Sequence, residues 1–151
     1  MEKLKLSLEI RKGEKIEKGS SKTERQYLDF IISGKSLGQI LNIQDKNLIG
    51  PLGWGEKTDY EQRQINEFIG IEKPELKPDR TKFYVCPECG DIDCGAITGT
   101  IHFSENHVVW KDFGYENSLS EPDFETYRNI GPFTFDRIEY FKIFEELTTE
   151  L

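Results

Sequence analysis

A chain of 151 residues, 36% hydrophobic and 32% charged, has the size of one domain, and its ten Phe, six Tyr and two Trp exclude a disordered chain because such side chains bury large areas. The net charge of −8 is unevenly placed: residues 1–25 carry eight Lys/Arg against five Asp/Glu, leaving 12 against 23 for the remainder. A field of that sign opposes phosphate backbones, which excludes nucleic acid as a natural partner, and it suits a basic protein.

Leu4, Leu6, Leu8 and Ile10 alternate with Lys3, Lys5, Ser7 and Glu9, a period of two that predicts a half-buried strand with four aliphatics on one face. Residues 11–24 hold Ile16 as their only apolar side chain and read as an exposed connection. Tyr27 to Ile32 is aromatic and β-branched and ends at Ser33-Gly34, which predicts a second strand closed by a turn. Ser36 is placed to cap a short helix through Leu41.

Gly50-Pro51-Leu52-Gly53-Trp54-Gly55 punctuates the chain, with Trp54 expected to anchor the loop to the core. Thr58-Asp59-Tyr60-Glu61 has the form of a capping box, and Tyr60, Gln64, Ile65, Phe68 and Ile69 follow at helical intervals. Pro74 and Pro78 force an extended segment, and Lys82 to Val85 reads as the next strand. Ala96 to Phe103 and His107 to Phe113 then form a predicted hairpin around Ser104-Glu105-Asn106, with Val108, Trp110 and Asp112 sharing one face. Residues 114–132 are irregular and acidic. A last helix is capped by Asp136, stapled by Phe135 and Tyr140, and expected to bury Ile138, Phe141, Phe144 and Leu147.

The sum is a single α+β domain over residues 1–151: an antiparallel sheet of about five strands with two or three helices packed on one face. No apolar run approaches the ~18 residues of a membrane span, and Met1 to Lys5 has no secretory character, so a cytoplasmic location without a membrane partner is expected.

All three cysteines fall in Cys86-Pro87-Glu88-Cys89-Gly90-Asp91-Ile92-Asp93-Cys94-Gly95. The CxxC spacing lets two sulfurs converge and the glycine allows the tight turn of a zinc knuckle, so Cys86, Cys89 and Cys94 are candidate ligands for a structural zinc. A closed site requires a fourth ligand. His102 is the candidate named here, with His107 the other histidine and Asp91 and Asp93 harder alternatives. Eight residues of extended chain between Cys94 and His102 span roughly 26 Å, so His102 reaches the site only if the strand bends back. Gly90 and Cys94-Gly95 interrupt the helix that a thioredoxin-type CxxC would open.

The stretches Cys86–Thr98, Val109–Asn117 (VVWKDFGYEN over residues 108–117) and Gly131-Pro132-Phe133-Thr134-Phe135 resemble an uncharacterised family of small bacterial proteins with CPxCGDxxCG, VxWxDFGxEN and GPFxF motifs. That resemblance covers the last seventy residues and implies a bacterial cytosolic origin. In acidity and in its lack of catalytic motifs the chain also resembles immunity proteins that neutralise cationic toxins. The expected function is therefore a non-enzymatic, acidic binding protein, of immunity or other regulatory type, whose cysteine loop holds a structural zinc. The alternative is a metal- or thiol-dependent enzyme, oxidoreductase-like, that uses the same cysteines.

Overall fold

The computed structural model describes residues 1–11, 14–15, 21–22, 24–55, 59–88, 90 and 92–150. Alternating aliphatics build β1 (Leu4–Arg11). Within the predicted exposed connection, β2 (Glu14–Lys15) pairs antiparallel with β3 (Ser21–Lys22), and most of the rest of that segment lies outside the described residues. β4 (Arg25–Ile32) returns along all of β1, from Arg11 opposite Arg25 to Leu4 opposite Ile32, and β5 (Lys35–Ser36) completes a three-stranded antiparallel sheet.

Helix α1 (Leu37–Leu41) starts as expected, with Ser36 Oγ accepting the Gln39 N–H. Helix α2 (Asp59–Phe68) follows, although Thr58 of its predicted capping box lies outside the described residues. A second antiparallel sheet then runs β6 (Thr81–Val85), β7 (Ala96–Phe103), β8 (His107–Glu116) and β9 (Phe133–Asp136), and α3 (Arg137–Glu150) closes the chain. Among the described residues the molecule is thus α+β with three α-helices, and apart from the β2–β3 pair its strands form two sheets of three and four rather than one of five.

The division has a local cause. Residues 49–52 lie between β4 and β6: Ile49 exchanges both backbone hydrogen bonds with Val85, and Leu52 O accepts the Leu28 N–H. Pro51 has no N–H to continue a ladder, so the segment makes isolated bridges instead of a strand. Gly50 passes so close that a Cβ there would run into Leu28 O. At the other side Glu2 N–H donates to Thr134 O at 2.8 Å, in a parallel bridge of Glu2 with Phe135. The two sheets therefore curl around one aromatic core.

Trp110, fully buried, is the hub of that core, with ring centroids of Phe30, Phe83 and Phe135 at 5.3, 4.8 and 4.9 Å. Edge-to-face pairs of this kind add about 0.5–1.5 kcal/mol each beyond their buried area. At this hub the polar atoms are paired: Trp110 Nε1 donates to Tyr140 Oη (3.1 Å), which donates to Phe68 O (2.6 Å).

Three predicted faces are corrected. In β8 an extra residue at Asp112, with φ +55°, bulges the strand and turns Phe113 rather than Asp112 onto the Trp110 face. In α3 the buried positions are Tyr140 and Phe144, while Ile138 is 80% exposed because the staple of Phe135 and Tyr140 (5.8 Å) rotates it outward. In β1 only Leu4 is buried and Leu8 and Ile10 are exposed, since the far half of the β1–β4 hairpin extends past the helices.

Arg80, just ahead of β6, ties the second sheet together. Its Nε donates to Thr98 Oγ1 (3.0 Å) and Glu116 (3.2 Å), and its Nη2 to the carbonyls of Thr98 and Asp112. Thr98 Oγ1 itself donates to Glu116.

Candidate functional site

Strand β6 delivers the chain into the cysteine loop. Cys86 is half-buried and Cys94, at the end of a 3-10 turn over Ile92–Cys94, is exposed. Gly90 N–H returns to Cys86 O at 2.8 Å, closing the turn with Gly90 at φ +66°. Cys89 and Asp91 lie outside the described residues. Among the described residues no three His, Cys, Asp or Glu gather into a metal-binding group.

Side chains from three other elements hold this loop. Arg25 Nε donates to Pro87 O (2.8 Å), Tyr60 Oη to Gly90 O (2.8 Å), and Arg11 pairs with Glu88 at 3.0 Å. The anchors are themselves stacked: the Arg25 guanidinium sits 4.2 Å from the Trp54 ring centroid, Trp54 packs on Tyr60 at 6.0 Å, and the Lys82 ammonium is 5.1 Å from the Tyr60 centroid. Trp54, expected to anchor its loop to the core, instead packs half-buried on these anchors, outside the core cluster, with its Nε1 donating to Gly50 O.

His102 stands at the opposite end of β7, exposed and paired with Val109 beside the hairpin turn. Ala96 to His102 runs as one strand, on the order of 20 Å at about 3.3 Å per residue. The structure therefore places Cys86 and Cys94 at one end of the sheet and both histidines at the other.

Next to the loop, and sharing Arg11 with it, opens a cleft of about 570 Å³ between the outer face of β1–β4 and α1. Glu9, Tyr27 and Asp29 form one wall and Tyr84 and Ser36 the floor. Asp29 is 8% exposed and fully engaged: its Oδ1 accepts from Tyr84 Oη (2.6 Å) and Phe30 N–H (2.9 Å), and its Oδ2 from Ser36 Oγ (2.7 Å). Burial first, and then the Asp29 carboxylate, push the Tyr84 phenol well above its ordinary value, so it remains a donor. Tyr27 is raised by burial and by Asp29 and Glu9, which reports a negative potential along this wall. Among the described residues the one cation lining it is Arg11, which donates to Glu88 and Asn47.

Sequence reading passed over this cleft. The available signal was Asp29 itself, a carboxylate set between Leu28 and Phe30 in an otherwise apolar strand. Comparison with protein-family models, with curated proteins and with solved structures found no match. No helix among the described residues is long and apolar enough to cross a membrane.

Proposed function

We propose that this chain is a non-enzymatic binding protein that presents an acidic cleft to a basic protein partner. The observation that carries this reading is the wall of Glu9 and Asp29, with Asp29 held in place by Tyr84 and Ser36 and with Arg11, the one cation lining the cleft among the described residues, paired with Glu88. A lysine or arginine side chain meets there a fixed carboxylate and needs no reorganisation of the cleft, which favours both encounter rate and register. The net charge of −8 acts in the same direction. In this reading the chain is a cytoplasmic immunity-type or regulatory partner, and the stacked cations fix the cysteine loop as the rim of the cleft.

The test is co-purification of the full chain with the basic proteins encoded beside its gene. Retention that weakens as salt rises, and falls about tenfold with Glu9→Lys, supports the reading. Retention of none of them at low salt removes it. A structural zinc on Cys86, Cys89 and Cys94 is a separate part of the proposal: metal analysis of the purified chain should find one zinc, released only on unfolding. Zinc-free protein with an unchanged melting temperature would contradict it.

A further inference from the structure

We infer that a second cavity, of about 500 Å³ and lined from β7, β8 and the segments before β6 and after β8, binds a small zwitterion with an apolar body, of which an apolar α-amino acid is the simplest example. Its lining combines Arg80, Arg128 and Asp112 with Phe113, Phe124 and Pro78, the mix of apolar walls and a few convergent polar groups typical of small-molecule sites.

The carrying observation is one nitrogen of a buried guanidinium that has no acceptor among the described residues. Arg80 is 6% exposed, and its Nε and Nη2 make four hydrogen bonds, yet its Nη1 donates to no acceptor among the described residues. The remaining Nη1 is a charged donor, and a carboxylate oxygen is the acceptor that suits it best, in a single charge-assisted hydrogen bond. Phe124, 43% exposed, lies with its ring centroid 4.7 Å from this guanidinium, and it fits against β8 because Gly114 has no Cβ to displace it. The aromatic ring thus covers the cation and forms the apolar wall beside it.

Charge balance selects a zwitterion over an anion. Arg80 is already matched by Glu116 at 3.2 Å, and Arg128 by Glu125 at 2.7 Å. Asp112 adds an exposed carboxylate whose nearest hydrogen-bond donor is Thr100 Oγ1 at 3.4 Å. A ligand carboxylate on Arg80 Nη1 would be opposed by Asp112 unless the same ligand brings a cation to it. An α-amino acid does so: its carboxylate faces Arg80 and Arg128, its ammonium faces Asp112, and its side chain lies between Phe124, Phe113 and Pro78. Asp112 also holds φ +55°, a conformation that costs energy for a non-glycine residue and that recurs at ligand sites.

The experiment is an NMR titration of the full chain with L-phenylalanine, 3-phenylpropionate, which lacks the ammonium, and 2-phenylethylamine, which lacks the carboxylate. The expected result is that L-phenylalanine shifts the amides of Thr100, Asp112 and Phe124 and binds about tenfold tighter than either analogue. Asp112→Asn, which tolerates the same backbone conformation, should weaken L-phenylalanine about tenfold while leaving 3-phenylpropionate unchanged or tighter. Arg128→Gln, on the exposed rim, should cost about threefold. Absence of shifts at these residues up to about 20 mM, or equal affinity for all three compounds, overturns the inference.

Discussion

Two buried polar clusters, one on each sheet, solve the same problem in different ways. Asp29 collects three donors; Arg80 gives four hydrogen bonds and, among the described residues, keeps one nitrogen uncommitted. The first cluster is closed, so its cleft attracts a cation by field alone and has a rigid floor. The second is open, so a ligand there can complete a coordination that the fold has left unfinished. Burial of charge is costly in either case, and the difference lies in where the last partner comes from.

The largest expected effect comes from breaking the open cluster. Arg80→Ala leaves the partly buried Glu116 without its cation, with the Thr98 hydroxyl still donating to it, and takes a donor from the carbonyls of Thr98 and Asp112; it should cost about 3–5 kcal/mol in chemical denaturation. A loss below about 1 kcal/mol would mean that the guanidinium is not the tie between β6, β7 and β8.

Glu67, on α2 and 5% exposed, sharpens the contrast because burial is met there by a proton. Burial, opposed in part by Lys82, pushes its carboxyl up to about 7 from 4.5. The folded state holds that proton after the unfolded chain has released it. Stability should therefore fall as pH rises from about 4.5 to about 7, by on the order of 3 kcal/mol from this group. Glu67→Gln should flatten that part of the pH–stability curve, and a profile unchanged by the substitution would reject this account.

The closed cluster should respond less. Tyr84→Phe removes one of three donors to Asp29 and is expected to lower stability by about 1–2 kcal/mol. If unfolding is unaffected, Tyr84 is not part of the floor. Smallest of all is Glu9→Lys, within about 0.5 kcal/mol in stability, although it should weaken a basic partner.

Local features of the fold were legible in the sequence because they depend on neighbours along the chain. Ser36 caps α1, Asp136 Oδ2 accepts the Glu139 N–H at 3.0 Å, and the Ser104–Asn106 connection joins β7 to β8 where expected. What failed depended on distant partners. Period-two alternation could not reveal the bulge at Asp112, which reverses the face of Phe113, and nothing in Gly50-Pro51 announced that this segment would separate two sheets.

The candidate site was legible to a similar depth. The cysteine loop stood out by composition, and strand β7, running straight on, carries His102 away from it. The clefts did not stand out, because Asp29 and Arg80 acquire meaning only from Tyr84, Ser36, Thr98 and Glu116, which lie 7 to 55 residues away.

The anchors of the cysteine loop have an evolutionary consequence. Arg25 and Tyr60 grip the carbonyls of Pro87 and Gly90 rather than any side chain. A loop held by its main chain is indifferent to most side-chain replacements and sensitive to its number of residues, since one insertion would move a carbonyl away from its donor. Divergent relatives of this chain should therefore keep the length between β6 and β7 while varying the letters within it, apart from the glycine whose backbone makes the turn, the three cysteines proposed to hold zinc, and Glu88, which pairs with Arg11.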